Sequence, residues 1–235
     1  MSENSTPTVS KELADFREAR EAHQKNVQAL REIEAAIARC HQQLKETEEQ
    51  GQQAKSKWRE LFHSLRGEMT EELQAQHTQR VSKRELVKEF DLLIEGLELD
   101  RISAQSKCAM TAGPLEITHK AALLSHADEV MNQALREHAV HLIHAFNIKR
   151  VAYGVYYSNG KECASSDIIN FLSQFSSVYD LSKNNEPIHL EIGAEKPYLD
   201  GVDMDLYKSP AKRMKYYTEL KARRERYEEM KSKSL

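Results

Sequence analysis

The sequence predicts a mainly α-helical protein with an N-terminal coiled-coil helical hairpin, long central helices, a small mixed segment and a basic C-terminal helix. Three observations support this fold class. Only eight Gly and five Pro occur in 235 residues, whereas α/β folds need many glycine-rich turns. Charged residues make up 30% of the chain and apolar residues 40%, a balance typical of long exposed helices. Apolar residues also recur at intervals of three and four, which is the helical period.

The N-terminal region is predicted to be a flexible tail over residues 1–9, followed by the hairpin over residues 10–80. Gly51 lies in the polar stretch KETEEQGQQAKSK, which places the hairpin tip there, between arms of residues 10–48 and 53–79. The alternative is one continuous helix, weakened by about 1 kcal/mol at this glycine. A narrow apolar seam with half-polar neighbouring positions indicates coiled-coil packing, in a dimer or within the hairpin. The seam consists of Leu13, Phe16, Val27, Leu30, Ile37, Leu44, Trp58, Phe62 and Leu65.

The region 81–175 is predicted to be a helical core. Ser82 and Glu85 form a capping box that would open its first helix, and TAGP at 111–114 would end it. The valine, tyrosines and Asn159–Gly160 pair of RVAYGVYYSNGKE predict a short β-hairpin or aromatic loop near 150–161. A short helix, SSDIINFLSQF, follows. The helix after TAGP has a predicted core face made of Ile117, Ala121, Leu124, Met131, Leu135, Leu142 and Ala145.

Residues 176–208 contain turn residues without a sustained period, and they predict an irregular linker. Asp203 and Asp205 are interpreted as solvated turn residues, or as partners of the last helix. Ser209 as N-cap and Pro210 at the first helical position open a basic helix over residues 209–235.

This basic helix mixes arginine with tyrosine, a combination concentrated at protein interfaces. The predicted partner is therefore a protein, with direct nucleic-acid binding as the secondary interpretation. The alternative is a solvated helix with pairs such as Glu219–Arg223. The predicted contact residues are Lys212, Arg213, Lys215, Tyr216, Lys221, Arg223, Arg224, Arg226 and Tyr227.

Histidines at 138, 141 and 144 in ALREHAVHLIHAF raise the possibility of a metal site. Neighbouring members of the set differ by about 60° around a helix and the outer two by about 120°, so the three cannot converge on one ion. His138 falls on the predicted core face, which favours a packed imidazole. HExxH, nucleophile-elbow, Walker and dinucleotide-binding motifs are absent from the sequence. We therefore expect no catalytic activity, no metal and no cofactor.

The remaining sequence features concern location. Three widely spaced cysteines without a CxxC pair fit a reducing cytoplasm. No apolar run of about 18 residues predicts a membrane span. The net charge of −3 argues against a general polycation that binds membranes or nucleic acid.

The chain resembles the phage polarity suppression proteins, a family of small helical proteins of satellite phages and related mobile elements. Three features carry the resemblance: the sequence Ala134–Leu135–Arg136–Glu137, the preceding stretch ELVKEFDLLIEGLE, and a last helix that opens with Ser209, Pro210, Ala211 and Met214. The resemblance implies an intertwined, non-enzymatic homodimer in the bacterial cytoplasm that inhibits or diverts a larger machine. The expected function is suppression of Rho-dependent termination, with Rho as partner and with association with the capsid or virion. The alternative is a packaging-redirecting protein that binds the small terminase of a helper phage.

Overall fold

The computed structural model describes residues 7–176 and 187–234, and these residues form six helices and no strand. The predicted mainly α class is confirmed. The chain divides into two compact units, unit 1 with Met1–Ala19 and Leu115–Tyr198, and unit 2 with Arg20–Pro114 and Leu199–Leu235. In chain order the helices are α1 (Pro7–Ser64), α2 (Glu71–Tyr156), α3 (Gly160–Ser176), α4 (Pro187–Ile192), α5 (Met204–Lys208) and α6 (Pro210–Ser234).

The predicted tail and the predicted linker differ from the structure. Residues 1–6 of the predicted tail lie outside the described residues, while 7–9 already belong to α1. Residues 177–186 of the predicted linker also lie outside. The rest of that linker is partly ordered as α4 and α5, so it is not irregular throughout.

The predicted hairpin tip at Gly51 is wrong, because α1 runs through this glycine as the alternative interpretation allowed. Thr47 and Ala54, one turn to either side, are buried. Their packing outweighs the cost of about 1 kcal/mol of a glycine inside a helix. The chain turns instead at residues 65–70, where Gly67 has a φ of 87°, a conformation that favours glycine. Thr70 then caps α2 by accepting a hydrogen bond from the backbone N–H of Leu73 at 3.3 Å.

Within unit 2, α1 and α2 pair as antiparallel helices. Val27 and Leu30 form a buried cluster with Ala104 and Cys108. Towards the turn, a Cβ at Gly51 would lie 3.5 Å from that of Lys83. Further along, the rings of Trp58 and His77 lie 6.1 Å apart. As the residue number rises on α1, the facing number on α2 falls by nearly the same amount, so the register stays constant along the pair.

The seam on α1 changes its spacing after Leu30. The heptad read from the sequence continues through polar positions such as Glu34 and His41. In the structure Ile33 packs against the cluster of Val27 and Leu30, and the row continues through the buried Cys40, Thr47 and Ala54. Two successive steps of three residues move this row by one position, as in a coiled-coil stammer. The polar positions of the predicted heptad therefore lie beside the seam.

The nine predicted seam residues are all at least half-buried. Leu13, Phe16, Val27, Leu30 and Ile37 are buried, and Leu44, Trp58, Phe62 and Leu65 are half-buried. Partners for several of them lie in the same chain: Phe16 meets His119 edge-on at 5.5 Å, and Trp58 stacks on Phe62 at 5.1 Å. The seam therefore serves intramolecular packing, and dimerisation through it stays a prediction.

The predicted breaks in the central region are wrong. Ser82 lies inside α2, so it caps nothing, and the TAGP sequence is helical despite Pro114. A proline inside a helix costs about 3 kcal/mol. Ala112 and Leu115, on either side of it, are almost fully buried. Burial of these neighbours outweighs the local cost of the exposed proline.

The predicted β-hairpin near 150–161 is also wrong, because α2 extends to Tyr156 and α3 begins at Gly160. The Asn159–Gly160 pair does mark a turn, but the turn joins two helices. Tyr153 donates a hydrogen bond to Asp167 of α3 at 2.6 Å, and Lys149 forms an ion pair with the same carboxylate. This short helix begins at Gly160, earlier than the predicted stretch SSDIINFLSQF.

The two glycines at this turn make different contacts. A Cβ at Gly160 would lie 2.6 Å from the backbone nitrogen of Gly154, whereas a Cβ at Gly154 would have no atom within 4 Å. We expect Gly160→Ala to destabilise unit 1 by roughly 1–3 kcal/mol, because backbone atoms cannot yield as a side chain can. Urea unfolding and amide hydrogen exchange of α3 measure the loss.

Gly154→Ala is the matched control. It adds the same methyl group in open space inside a helix and is expected to stabilise by up to about 1 kcal/mol. Equal effects of the two substitutions on α3 protection would contradict the close approach.

His23 is a buried polar residue in the unit 2 seam. Its Nδ1 lies 3.0 Å from Thr111 Oγ1, whose hydroxyl already donates to backbone carbonyls of α2. Nδ1 therefore carries the proton and donates, while the buried Nε2 has no hydrogen-bond partner among the described residues. Burial lowers the pKa of His23, opposed by the negative charge of Asp200. A charged ring would bury an N–H without an acceptor.

A lowered histidine pKa makes stability depend on pH in a defined direction. Below the ordinary value of about 6.5 the unfolded chain binds a proton that the folded chain does not. We expect wild type to lose stability relative to His23→Gln as the pH falls from 7.5 to 5.5. Urea unfolding of both proteins across this range measures the difference, and a constant difference would contradict the assignment.

Candidate protein-interaction site

The basic helix α6 begins as predicted, with Pro210 at its first position and Ser209 Oγ accepting from the backbone N–H of Lys212 at 3.3 Å. Asp203 caps α5, accepting from the backbone of Asp205 and Leu206. Asp205 pairs with Lys212 at 3.1 Å, one of the two roles expected for it. Arg213 donates to the carbonyl oxygens of Leu206 and Tyr207 at 2.8 and 2.7 Å. These contacts hold α5 to the start of α6.

The middle of α6 is bound to α2. Arg223 pairs with Glu95 at 2.9 Å and Arg224 with Asp100 at 2.8 Å. Tyr216 donates to Gln105 at 3.5 Å, while burial raises the pKa of its phenol. The Tyr227 hydroxyl packs against Gly96, since a Cβ built on this glycine would lie only 2.6 Å from the hydroxyl oxygen. Four of the predicted partner-binding residues therefore contact α2, and two others, Lys212 and Arg213, contact α5.

The other predicted residues of α6 are less engaged. Lys215 lies 3.7 Å from Glu219, and Arg223 pairs with Glu95, so the Glu219–Arg223 pair of the alternative interpretation does not form. Arg226 donates to the carbonyl of Ala222 at 3.2 Å and is exposed, as is Lys221. Partner binding by α6 stays a prediction, and among the described residues these three exposed cations contact neither α2 nor α5.

In this region α2 is covered on two faces. Ala104 faces α1, whereas Glu95, which pairs with Arg223, points about 180° away at 100° per residue. Leu99 and Ser106 lie within about 40° of that far direction and are almost fully buried.

The histidine stretch lies in unit 1 and faces solvent. All three imidazoles are exposed, and the His138 side chain, 66% accessible, lies 3.9 Å from Glu137. The expectation that His138 packs in the core is wrong. Among the described residues, no group of three or more His, Cys, Asp or Glu side chains could hold a metal ion.

The predicted core face of α2 is also on the outside. We name it the 117–145 face, defined by Ile117, Ala121, Leu124, Met131, Leu135, Leu142 and Ala145. Its five large side chains are between 46% and 70% accessible. The prediction that this face lies in the core is wrong, because the buried row of this stretch consists of Leu115, His119, Ala122 and His126. Periodicity correctly found an apolar face, but not which face the chain itself covers.

The buried row of unit 1 is small and partly polar for a reason visible in its contacts. His119 meets the ring of Phe16 and lies 3.3 Å from the carbonyl oxygen of Gly193. Arg17 forms two hydrogen bonds with Glu191 of α4 at 2.5 and 2.6 Å. The start of α1 and the α4 segment thus cover this row, and the sequence alone did not indicate it.

Further apolar side chains of unit 1 are exposed. Val140, Ile148, Val151 and Val155 form a second exposed row on α2, and Ile169, Phe171 and Leu172 are exposed on α3. Exposed apolar patches on a protein surface mark sites of interaction with other proteins. In the sequence, this exposed apolar surface is indicated by apolar residues that occur on several faces of one helix. Unit 1 therefore carries the candidate protein-interaction surface.

The described helices include none that is both long and apolar enough to span a membrane.

The Arg223–Glu95 pair provides a test of how α6 is bound. Because both side chains are about 40% accessible, we expect a coupling free energy of roughly 0.2–1 kcal/mol. Arg223→Glu should destabilise unit 2, and adding Glu95→Arg should restore most of the loss. Urea unfolding of the four proteins of the double-mutant cycle measures this coupling. A coupling of zero would show that Arg223 is free for a partner.

Comparison with known proteins gives three findings. No protein-family model matches the chain. It is 25% identical over 223 residues to Glycoprotein 3 of Enterobacteria phage P4, covering 91% of each chain. A chain in the solved structure described as the satellite phage P4 procapsid including size determination (Sid) protein has the same fold. The TM-score is 0.76 at 23% identity, and the match covers 93% of this chain and 97% of that chain.

These findings correct the predicted function. The likeness to satellite-phage proteins is confirmed, but suppression of Rho-dependent termination is wrong, because the solved structure that shares the fold is a P4 procapsid that includes a size determination protein. Neither Rho nor the small terminase finds support as a partner. Short motifs such as Ala134–Glu137 fit any charged helix, so they did not distinguish these families. The chain is similar over nearly its whole length to a satellite phage P4 protein and shares its fold with a chain of the P4 procapsid.

Proposed function

We propose that this chain associates with a phage procapsid and takes part in determining the size of the shell. The observation that carries the proposal is the fold shared with a chain of a procapsid that includes a size determination protein, over 93% of this chain. Sequence similarity over 91% of the chain to a protein of phage P4, the phage of that procapsid, agrees with it.

The surface that we assign to this association is the 117–145 face. Its residues repeat at intervals of three, four and seven along about 40 Å of helix, the pattern by which helices pack against helices. Five large apolar side chains there are about half exposed. Covering each one further contributes roughly 25 cal/mol per Å² of apolar area. A face with the pattern of a core that the described residues of its own chain leave uncovered is suited to burial against another subunit.

The partners in this proposal are the capsid protein and further copies of the chain. Shell size depends on the angles at which neighbouring subunits meet, so a protein that sets size must contact more than one of them at fixed positions. The constant register of α1 and α2 in unit 2 supports a stiff element, and the apolar face of unit 1 supports a contact. The chain would act by binding, without a catalytic step.

Two substitutions on the 117–145 face test the proposal. Met131→Lys with Leu135→Lys places two charges where apolar burial is required, so shell-size change should be lost. We would produce each protein in host cells together with the capsid protein of a P4 helper phage and measure shell diameters by electron microscopy. Because both side chains are exposed, circular dichroism should show unchanged helicity.

Met214→Lys with Met230→Lys is the matched control, since both methionines are exposed on α6. It adds the same charge and removes similar apolar area, and it should still change the shell diameter. Wild-type protein without effect on shell diameter would overturn the function. An unchanged effect of Met131→Lys with Leu135→Lys would overturn only the assigned face.

A further inference from the structure

A groove lies between α1 and α2 in unit 2, beside Gly51, with a volume of about 470 Å³. We call it the Gly51 groove. Thr47, Val81 and Val87 supply methyl groups to its lining. The groove exists because position 51 of the seam carries no side chain, and a Cβ there would make only ordinary contact with Lys83. A larger side chain at this position would enter the groove.

The groove is lined by four cations and one acid. Lys55 comes from α1 and Arg80, Lys83 and Arg84 from α2, whereas the acid is Glu48. Ion pairs within the chain leave most of this charge unmatched. Arg84 lies 3.3 Å from its neighbour Glu85, and among the described residues no acidic side chain pairs with Lys55 or Lys83.

One of the cations is held in place. The guanidinium of Arg80 lies 4.3 Å above the Trp58 ring, and its Nη2 is 3.2 Å from His77 Nδ1. A guanidinium stacked on an indole keeps its outer N–H groups free to bind a carboxylate or phosphate. Arg84 follows one turn later on the same helix, about 6 Å along the axis. This spacing suits two anionic groups on one short ligand.

The surroundings restrict the length of that ligand. Glu48 lies in the lining of the groove and Glu85 lies beside Arg84, and the whole chain carries a net charge of −3. A polynucleotide extending beyond the groove would bring phosphates within a Debye length of these carboxylates. A short segment with two or three carboxylates would meet four cations against the one acid of the lining. Charge complementarity therefore favours an acidic peptide segment over a nucleic acid.

We propose that the Gly51 groove binds a short acidic segment of a partner protein, with its carboxylates paired to Lys55, Arg80 and Arg84. This site is distinct from the 117–145 face and does not depend on the proposed function. The methyl groups of Thr47, Val81 and Val87 offer contact to the aliphatic part of glutamate side chains.

The test uses a fluorescein-labelled hexaglutamate peptide and the full chain, with binding measured by fluorescence anisotropy at low salt. Lys55→Gln with Arg84→Gln should weaken binding by about tenfold, equivalent to about 1.4 kcal/mol. Both side chains are exposed, so the fold should persist. Gly51→Met changes no charge and fills the groove, and it should weaken binding to a similar extent.

Lys25→Gln with Lys107→Gln is the matched control, because both lysines are exposed on the same two helices outside the groove. It should leave the affinity within about twofold of wild type. Equal weakening by this control, or full affinity of Gly51→Met, would overturn the groove as the site. Tighter binding of an oligothymidylate that displaces the peptide would overturn the acidic-peptide assignment.

Discussion

The antiparallel contact between α1 and α2 is the constraint on which the rest of unit 2 depends. Its seam combines large residues such as Leu30 with small ones such as Thr47, Gly51 and Ala54. Small residues bring the helix backbones close, and close packing sets the register. The two three-residue steps that end at Ile33 also serve this contact. They keep Cys40, Thr47 and Ala54 in the seam, while the neighbouring glutamates and lysines lie beside it. The flanking charges then line the groove at Gly51.

The last segment of unit 2, residues 199–235, contacts α1 close to Leu30. Gly201 has a φ of 67°, and a Cβ on it would lie 3.0 Å from Leu30. Asp200, next to it, pairs with Arg31 of α1. From there the chain continues to α5 and α6, which cover the face of α2 opposite to α1. The two-sided cover explains why this part of α2 is apolar around much of its circumference.

Unit 1 differs in how much of its apolar surface is covered by its own residues. The buried row of Leu115, His119, Ala122 and His126 is narrow, and the larger apolar residues of the same helix lie outside it. The best-patterned apolar face of this helix is therefore the one that the described residues leave exposed, and it is the face that the proposed function assigns to contact with other subunits.

The sequence by itself determined the helical class, the seam of α1, the capped start of α6 at Ser209–Pro210 and the existence of a patterned face at 117–145. These depend on local periodicity and on capping chemistry, which neighbouring residues express directly. Only the tertiary structure decided which face is buried, and where helices end. Gly51 and Pro114 are helical because burial of their neighbours outweighs a local cost of a few kcal/mol. Arg223 and Arg224 are bound because α2 places carboxylates opposite them, more than a hundred residues away in the chain.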